Sequence, residues 1–189
     1  MKVLGVILAL AIIAAVAVFG ITSATSSKQV APPLAQQTEN TDGRAEPKRG
    51  TKIGELAPEF ELVKTDGSRV SLNDLQGKPA VVVFWSTYCS SCREEAPELN
   101  KLAATFEPQG VKVLGINVDS SDARLNEGIE DFKIKYETVR DIGTNVARSY
   151  RVTGTPTVIF LDKKGAVRYF GNELPADYAA RLEAINAQS

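Results

Sequence analysis

The chain has 189 residues, two cysteines, no histidine and a formal net charge of −1, with 24% of its residues charged and 43% hydrophobic. That is the composition of one soluble domain behind an apolar leader, and so neutral a balance gives no support to nucleic-acid binding. Without histidine, histidine acid–base catalysis and Cys–His nucleophile pairs are excluded.

Met1-Lys2 is followed by an uncharged apolar run from Val3 to Ile21. Nineteen residues at about 1.5 Å each span roughly 28 Å, close to a bilayer core of about 30 Å. A secretory signal has a shorter apolar core, and Thr22-Ser23-Ala24 is a weak cleavage site. Residues 1–21 are therefore read as an uncleaved, single-pass signal anchor, with a cleaved signal as the alternative. The charge on Lys2 and the amino terminus leaves the rest of the chain on the outer face of the cell membrane. Residues 22–50 are rich in Ser, Thr, Gln, Pro and Ala and contain no aromatic residue. Such a segment buries too little apolar surface to fold and reads as a flexible linker, about 30 Å end to end. It gives reach, or is a passive spacer. The folded domain is expected over residues 51–189.

Pro58 to Val63 and Arg69 to Leu72 flank the turn signal Thr65-Asp66-Gly67-Ser68, which predicts a β-hairpin. Ser71 to Gly77 reads as a capped helical turn ending in glycine. Val81-Val82-Val83-Phe84-Trp85 is dense in β-branched and aromatic residues, the pattern of a strand buried on both faces at the centre of a sheet.

Both cysteines follow this strand, in Ser86-Thr87-Tyr88-Cys89-Ser90-Ser91-Cys92-Arg93-Glu94-Glu95-Ala96-Pro97. A helix is predicted from Ser90, with Cys89 at its N-terminus. The first N–H groups of a helix lack intrahelical partners, and its dipole favours negative charge there. A Cys89 thiolate is stabilised by both, which lowers its pKa below the free value of about 8.5. Cys92 lies one turn further in, can reach the Cys89 sulfur and is expected to be covered. One sulfur attacks and the other resolves the mixed disulfide. A C-x-x-C pair beside a βαβ pattern thus reads as a dithiol–disulfide exchange site. The alternatives are a structural disulfide or half of a metal site, and the latter lacks two further Cys or His ligands. Pro97 is expected to kink the helix, since Leu99, Leu102, Ala103 and Phe106 continue its apolar spacing; a first helix that ends near Glu95 is the alternative.

Val111 to Val118 is a second core strand, which completes a right-handed parallel βαβ unit with Cys89 at the C-terminal strand edge. Asp119 to Asp122 reads as a turn, Leu125 to Tyr136 as a helix with Ile129, Phe132 and Ile134/Tyr136 inward, Glu137 to Asp141 as a short strand, and Asn145 to Tyr150 as one or two helical turns. Thr153-Gly154-Thr155-Pro156-Thr157 leads into the buried strand Val158 to Leu161. Asp162 to Gly165 turns into the last strand, Ala166 to Phe170. Pro175 to Ala187 closes the chain as a helix with Tyr178, Leu182 and Ile185 inward.

Two stretches, Phe84 to Pro97 and Gly154-Thr155-Pro156-Thr157, make the chain from about Ile53 onward resemble the thioredoxin family. It is most similar to the membrane-anchored branch typified by TlpA and ResA. The resemblance implies an α/β thioredoxin-like fold, a central mixed sheet flanked by helices with an N-terminal β-hairpin and an insertion after the central βαβ unit. It implies protein-disulfide oxidoreductase activity without cofactor or metal. Cys89 is then the nucleophile and Cys92 the resolving thiol. Pro156 is cis beside the cysteines, and the Thr155 backbone is offered to an extended substrate, as in strand addition; an ordinary trans proline is the alternative. Trp85 and Tyr88 are expected to flank the site and to contact the substrate. Glu95 matches an acidic residue of TlpA/ResA proteins and assists proton transfer, unless it is a surface glutamate. The family's usual Trp before the first cysteine is Tyr88 here, and Val83 stands where thioredoxins proper carry a buried aspartate. A reducing role follows, for instance on haem-site cysteines of apocytochrome c, served by a membrane-embedded electron donor, with the domain a monomer. A copper-binding relative of this fold is expected to use a histidine ligand, which this chain lacks. Two rivals stay open. A peroxiredoxin-like peroxidase needs a Pro-x-x-x-Thr-x-x-Cys setting that Ser86-Thr87-Tyr88-Cys89 does not supply. A non-enzymatic binding or assembly module would keep a static disulfide.

Overall fold

The computed structural model describes residues 47–188 apart from Thr65 and Ser120. The apolar run 3–21 and most of the expected linker lie outside these residues. Among the described residues no helix is long and apolar enough to cross a membrane.

The order is β1 (Glu61–Val63), β2 (Arg69–Ser71), β3 (Ala80–Trp85), α1 (Ser90–Phe106), β4 (Lys112–Asn117), α2 (Asp122–Phe132), β5 (Glu137–Arg140), α3 (Asn145–Ser149), β6 (Thr157–Leu161), β7 (Val167–Gly171) and α4 (Tyr178–Ala187). Strands β1 and β2 form the expected hairpin, a separate two-stranded sheet. The other five strands make one mixed sheet in the order β5-β4-β3-β6-β7. β3 runs parallel to β4 and antiparallel to β6, and β4 runs parallel to β5. The fold is thioredoxin-like, and α2, β5 and α3 are the expected insertion between the βαβ unit and the closing β6–β7 hairpin.

β3 sits at the centre because both its faces are apolar. All six of its residues are buried. Val82 and Phe84 pack on one face with Leu62 and Val70 of the hairpin and with Tyr150 just after α3. Val81 and Val83 pack on the other face with Leu99, Leu102 and Phe106 of α1 and Leu182 and Ile185 of α4. A strand sandwiched in this way has no solvent side, so its sequence does not alternate.

The chain is paired earlier than expected. Leu56 N–H donates to the Lys48 carbonyl at 3.1 Å and Gly50 N–H to the Leu56 carbonyl at 2.8 Å. The expected linker boundary at residue 50 therefore falls inside a hydrogen-bonded segment. After β2, a 3-10 turn (Leu72–Leu75) is capped as predicted, with Asp74 accepting from the Ser71 N–H and hydroxyl. α1 runs unbroken through Pro97, which excludes a helix ending near Glu95.

The helix expected at Leu125 to Tyr136 is displaced. It starts at Asp122, capped by the Ser121 hydroxyl on Arg124 N–H, and stops at Phe132. Lys133 adopts a left-handed conformation (φ 54°) and ends it. The inward face is Leu125, Gly128 and Phe132, with Ile129 half-buried. Ile134 and Tyr136 still reach the core, but from irregular backbone between the helix and β5.

Gly128 is set by close approach. A Cβ there would lie 2.5 Å from Thr87 Cγ2 and 2.7 and 2.9 Å from the Trp85 ring. Gly128→Ala gains up to about 1 kcal/mol of helix propensity. Overpacking of this kind costs about 1–3 kcal/mol, so we expect net destabilisation. A urea midpoint at or above that of the parent would show that Trp85 and Thr87 yield freely.

Candidate active site

The β3–α1 junction forms the reactive edge. Cys89 is the N-cap of α1, in extended conformation (φ −95°, ψ 106°), and Cys92 N–H donates to its Sγ at 3.0 Å. A helix donor that would otherwise be unpartnered is thus spent on the Cys89 sulfur. Cys89 and Cys92 are joined by a disulfide. Cys92 is 4% exposed and Cys89 is half-buried, the asymmetry expected from the sequence. Cys89 borders an open cleft of about 310 Å³ with Ser86, Tyr88, Ser90, Ser91 and Thr155. Cys92 faces inward, against Trp85, Ala96, Leu125 and Phe132.

The Thr155–Pro156 peptide bond is cis. The Thr155 carbonyl oxygen lies 3.2 Å from Cys89 Sγ. The disulfide sulfur carries no hydrogen, so this is a contact in the oxidised form and a hydrogen bond only for the Cys89 thiol. Pro156 is buried and lines the same apolar space as Cys92 and Trp85.

Tyr88 is 74% exposed beside Cys89, and the Arg124 guanidinium of α2 stands 5.3 Å from its ring centre. Trp85 corrects the sequence reading. At 1% exposure it cannot touch a substrate. Its ring packs against Phe132 (centroids 5.7 Å apart) beneath Cys92. A last-strand residue whose side chain points to the α1 face is covered by the insertion helix, which no local pattern announces.

Glu95 is not a surface glutamate. It is half-buried; one carboxylate oxygen accepts from the Leu174 N–H before α4, and the other is buried without a partner. Burial pushes its pKa up, the Leu174 N–H pulls it down in part, and the nearby Glu173 charge pushes it up again; the net shift is upward. Its charge reaches Tyr136, whose hydroxyl pKa is raised first by burial and further by Glu95. Glu94, by contrast, is exposed.

The sequence reading missed Asp119, which it placed in a turn. Asp119 is 6% exposed. It accepts from the Ser86 hydroxyl at 2.6 Å, the Thr87 N–H at 2.8 Å and the Asn117 amide at 2.9 Å. Burial opposes its charge, but these donors outweigh burial and hold its carboxyl below the usual range. An Asp just past the C-terminal end of a core strand next to the reactive edge was the available signal.

Residues 53–170 match the AhpC/TSA family model. A Geobacillus kaustophilus protein named thiol-disulfide oxidoreductase ResA is 31% identical over 140 residues, 73% of this chain and 80% of that one. The chain belongs to the AhpC/TSA family, as a TlpA/ResA-type thiol-disulfide oxidoreductase. A ResA of Bacillus cereus is 30% identical over 120 residues, 64% of this chain and 69% of its own. Among solved structures, a Chlorobium tepidum protein described as a DsbE thiol:disulfide interchange protein superposes with a TM-score of 0.67. It is 26% identical and covers 73% of this chain and 100% of its own. A Mycobacterium tuberculosis protein, described as a secreted disulfide oxidoreductase homologous to DsbE, gives 0.58 at 25% identity over 66% of this chain and 95% of its own.

The raised Glu95 pKa makes a stability prediction. The fold penalises its ionised form, so the penalty is absent at low pH and grows as pH rises through the folded value. Glu95→Gln imitates the protonated carboxyl. The difference in Tm, variant minus parent, should be more positive at about pH 8 than at about pH 4. A difference that is flat across pH would show an ordinary solvated carboxylate.

Proposed function

We propose that the chain is a membrane-tethered, extracytoplasmic reductant of protein disulfides. The observation that carries this reading is the paired geometry at the α1 N-terminus, a half-exposed Cys89 whose sulfur accepts the Cys92 N–H and a covered Cys92 within bonding reach. The Cys89 thiolate attacks a substrate disulfide, forming a mixed disulfide and releasing one substrate thiolate. Cys92 then gives its proton to the Glu95 carboxylate and attacks the Cys89 sulfur. The Cys89–Cys92 bond forms, the Cys89–substrate bond breaks and the second substrate thiolate leaves. Two electrons have passed to the substrate. Burial disfavours an ionised Cys92, and a carboxylate with a raised pKa one turn away is a suitable acceptor. The cleft between Tyr88 and the Thr155–Pro156 turn receives the extended substrate, Thr155 through its backbone and Pro156 by shaping the turn.

The dithiol is regenerated by a membrane-embedded electron donor. Haem-site cysteines of apocytochrome c are one substrate that fits this chemistry, because they must be reduced before the haem is attached. The apolar run 3–21 supports the tether, and the secreted Mycobacterium tuberculosis neighbour is in keeping with an outer location. The domain acts as a monomer.

In the full chain, Cys92→Ser should accumulate mixed disulfides with substrate proteins and Cys89→Ser should not; equal trapping by both would overturn the division of labour. Insulin reduction separates this enzyme from a module with a static disulfide, which would be inert. The full-length chain should also stay with membranes through high-salt and alkaline washes. A soluble mature form beginning near Thr25 would identify a cleaved signal instead.

A further inference from the structure

Among the described residues three aspartates are buried: Asp119, Asp141 and Asp162. Asp141 accepts from Val146 and Ala147 N–H at the start of α3. Asp162 accepts from Lys164 and Ala166 N–H and pairs with Arg168 across the β6–β7 turn. Each of these two holds its own local element together. Asp119 does something else, because its partners are 32 and 33 residues away, in the loop that carries Cys89.

The hydrogen bonds within the loop lead back to Asp119. Ser86 Oγ, whose hydrogen goes to Asp119, accepts from Tyr88 N–H at 3.2 Å. The Ser86 carbonyl accepts from Cys89 N–H at 3.1 Å. Every residue from Ser86 to Cys89 is thus held by this carboxylate directly or through Ser86. Asp119 is itself fixed, since its N–H donates to Asn117 Oδ1 at 3.0 Å and Asn117 closes β4 in register with Trp85.

We propose that Asp119 is a positioning residue of the dithiol site: it fixes the Ser86–Cys89 segment so that Cys89 caps α1, and its buried negative charge restrains the thiolate that the helix N-terminus favours. The two effects have opposite signs. Loss of the frame takes the Cys89 sulfur away from the Cys92 N–H and the helix dipole, which disfavours the thiolate. Loss of the charge alone removes a like-charge repulsion, which favours it.

Two substitutions separate them. In Asp119→Asn, the amide oxygen can accept from Thr87 and Asn117 while the amide nitrogen donates to Ser86 Oγ. The frame survives and the charge goes. Asp119→Ala removes both. The readout is the rate of iodoacetamide alkylation of Cys89 in the reduced, folded full-length protein at neutral pH, assigned by mass spectrometry. We expect Asp119→Asn to react about twofold faster or more and Asp119→Ala about threefold slower or more, because the rate follows the thiolate fraction. Ser86→Ala keeps the charge and cuts two of the frame's hydrogen bonds, so it should also react more slowly, and it decides the matter if Asp119→Ala does not fold. Both Asp119 variants shifting in one direction, or an unchanged rate in Ser86→Ala, overturns the proposal. A merely structural aspartate would change Tm in these variants and leave the alkylation rate alone. Alkylation requires no protein substrate, so its outcome stands apart from that of the exchange reading above.

Discussion

The site depends on one hydrogen bond, Cys92 N–H to Cys89 Sγ, made at the point where β3 ends and α1 begins. A helix N-terminus must find acceptors for its first N–H groups. Here the acceptor is the sulfur of Cys89 itself, so the capping of the helix and the chemistry of the thiol are one interaction. β3 makes this possible. It is covered on both faces and gripped by β4 and β6, so the loop after it leaves a rigid strand end at a fixed height above the sheet.

Three elements converge on that loop from different parts of the chain. The turn before β6 brings the Thr155 carbonyl to 3.2 Å from Cys89 Sγ. The end of β4 brings Asp119 under Ser86 and Thr87. The insertion brings α2 against its outer side, where Gly128 lets the Trp85 ring and Thr87 approach the helix axis and Arg124 stands over Tyr88. Arg93, next to Cys92, returns the contact through a 3.1 Å ion pair with Asp131 and a guanidinium 4.7 Å from the Phe132 ring centre. Exposed ion pairs of this kind contribute at most about 1 kcal/mol. The packing of Trp85, Leu125 and Phe132 over Cys92 is the larger contribution, since burial of one such side chain is worth about 1.5–3 kcal/mol.

What the sequence made legible was local. The apolar run of β3, the turn signal of the hairpin, the Ser71 cap and the C-x-x-C spacing each depend on residues within a few positions of one another, and all appear as expected. Three features were not legible, two because their causes lie far away in the chain and one because its residue type carries no signal. Trp85 is covered by a helix that begins 37 residues later. The end of α2 is decided by the left-handed Lys133, a conformation for which lysine carries no signature. Asp119 resembles any turn aspartate until the loop it holds is folded beside it. The resemblance to thioredoxin-like proteins supplied what local pattern did not, namely the cis bond before Pro156.

Glu95 lies between these two kinds of feature. Its place one helical turn after Cys92 is read from spacing, but its character is not. That character comes from the segment before α4, which covers the carboxylate, gives one oxygen the Leu174 N–H and leaves the other buried without a partner. The Leu174 bond favours the charged form and burial opposes it; burial prevails. A carboxylate held in this balance is poorly stabilised as an anion, and protonation relieves it. Cys92 has the complementary difficulty, since its thiol is covered by apolar side chains and must lose a proton to react. In the proposed exchange, that proton would pass to Glu95, a half-buried carboxylate one turn along α1 from the covered Cys92. On that proposal the segment before α4, which holds Glu95 through the Leu174 N–H, would serve the chemistry as well as the packing.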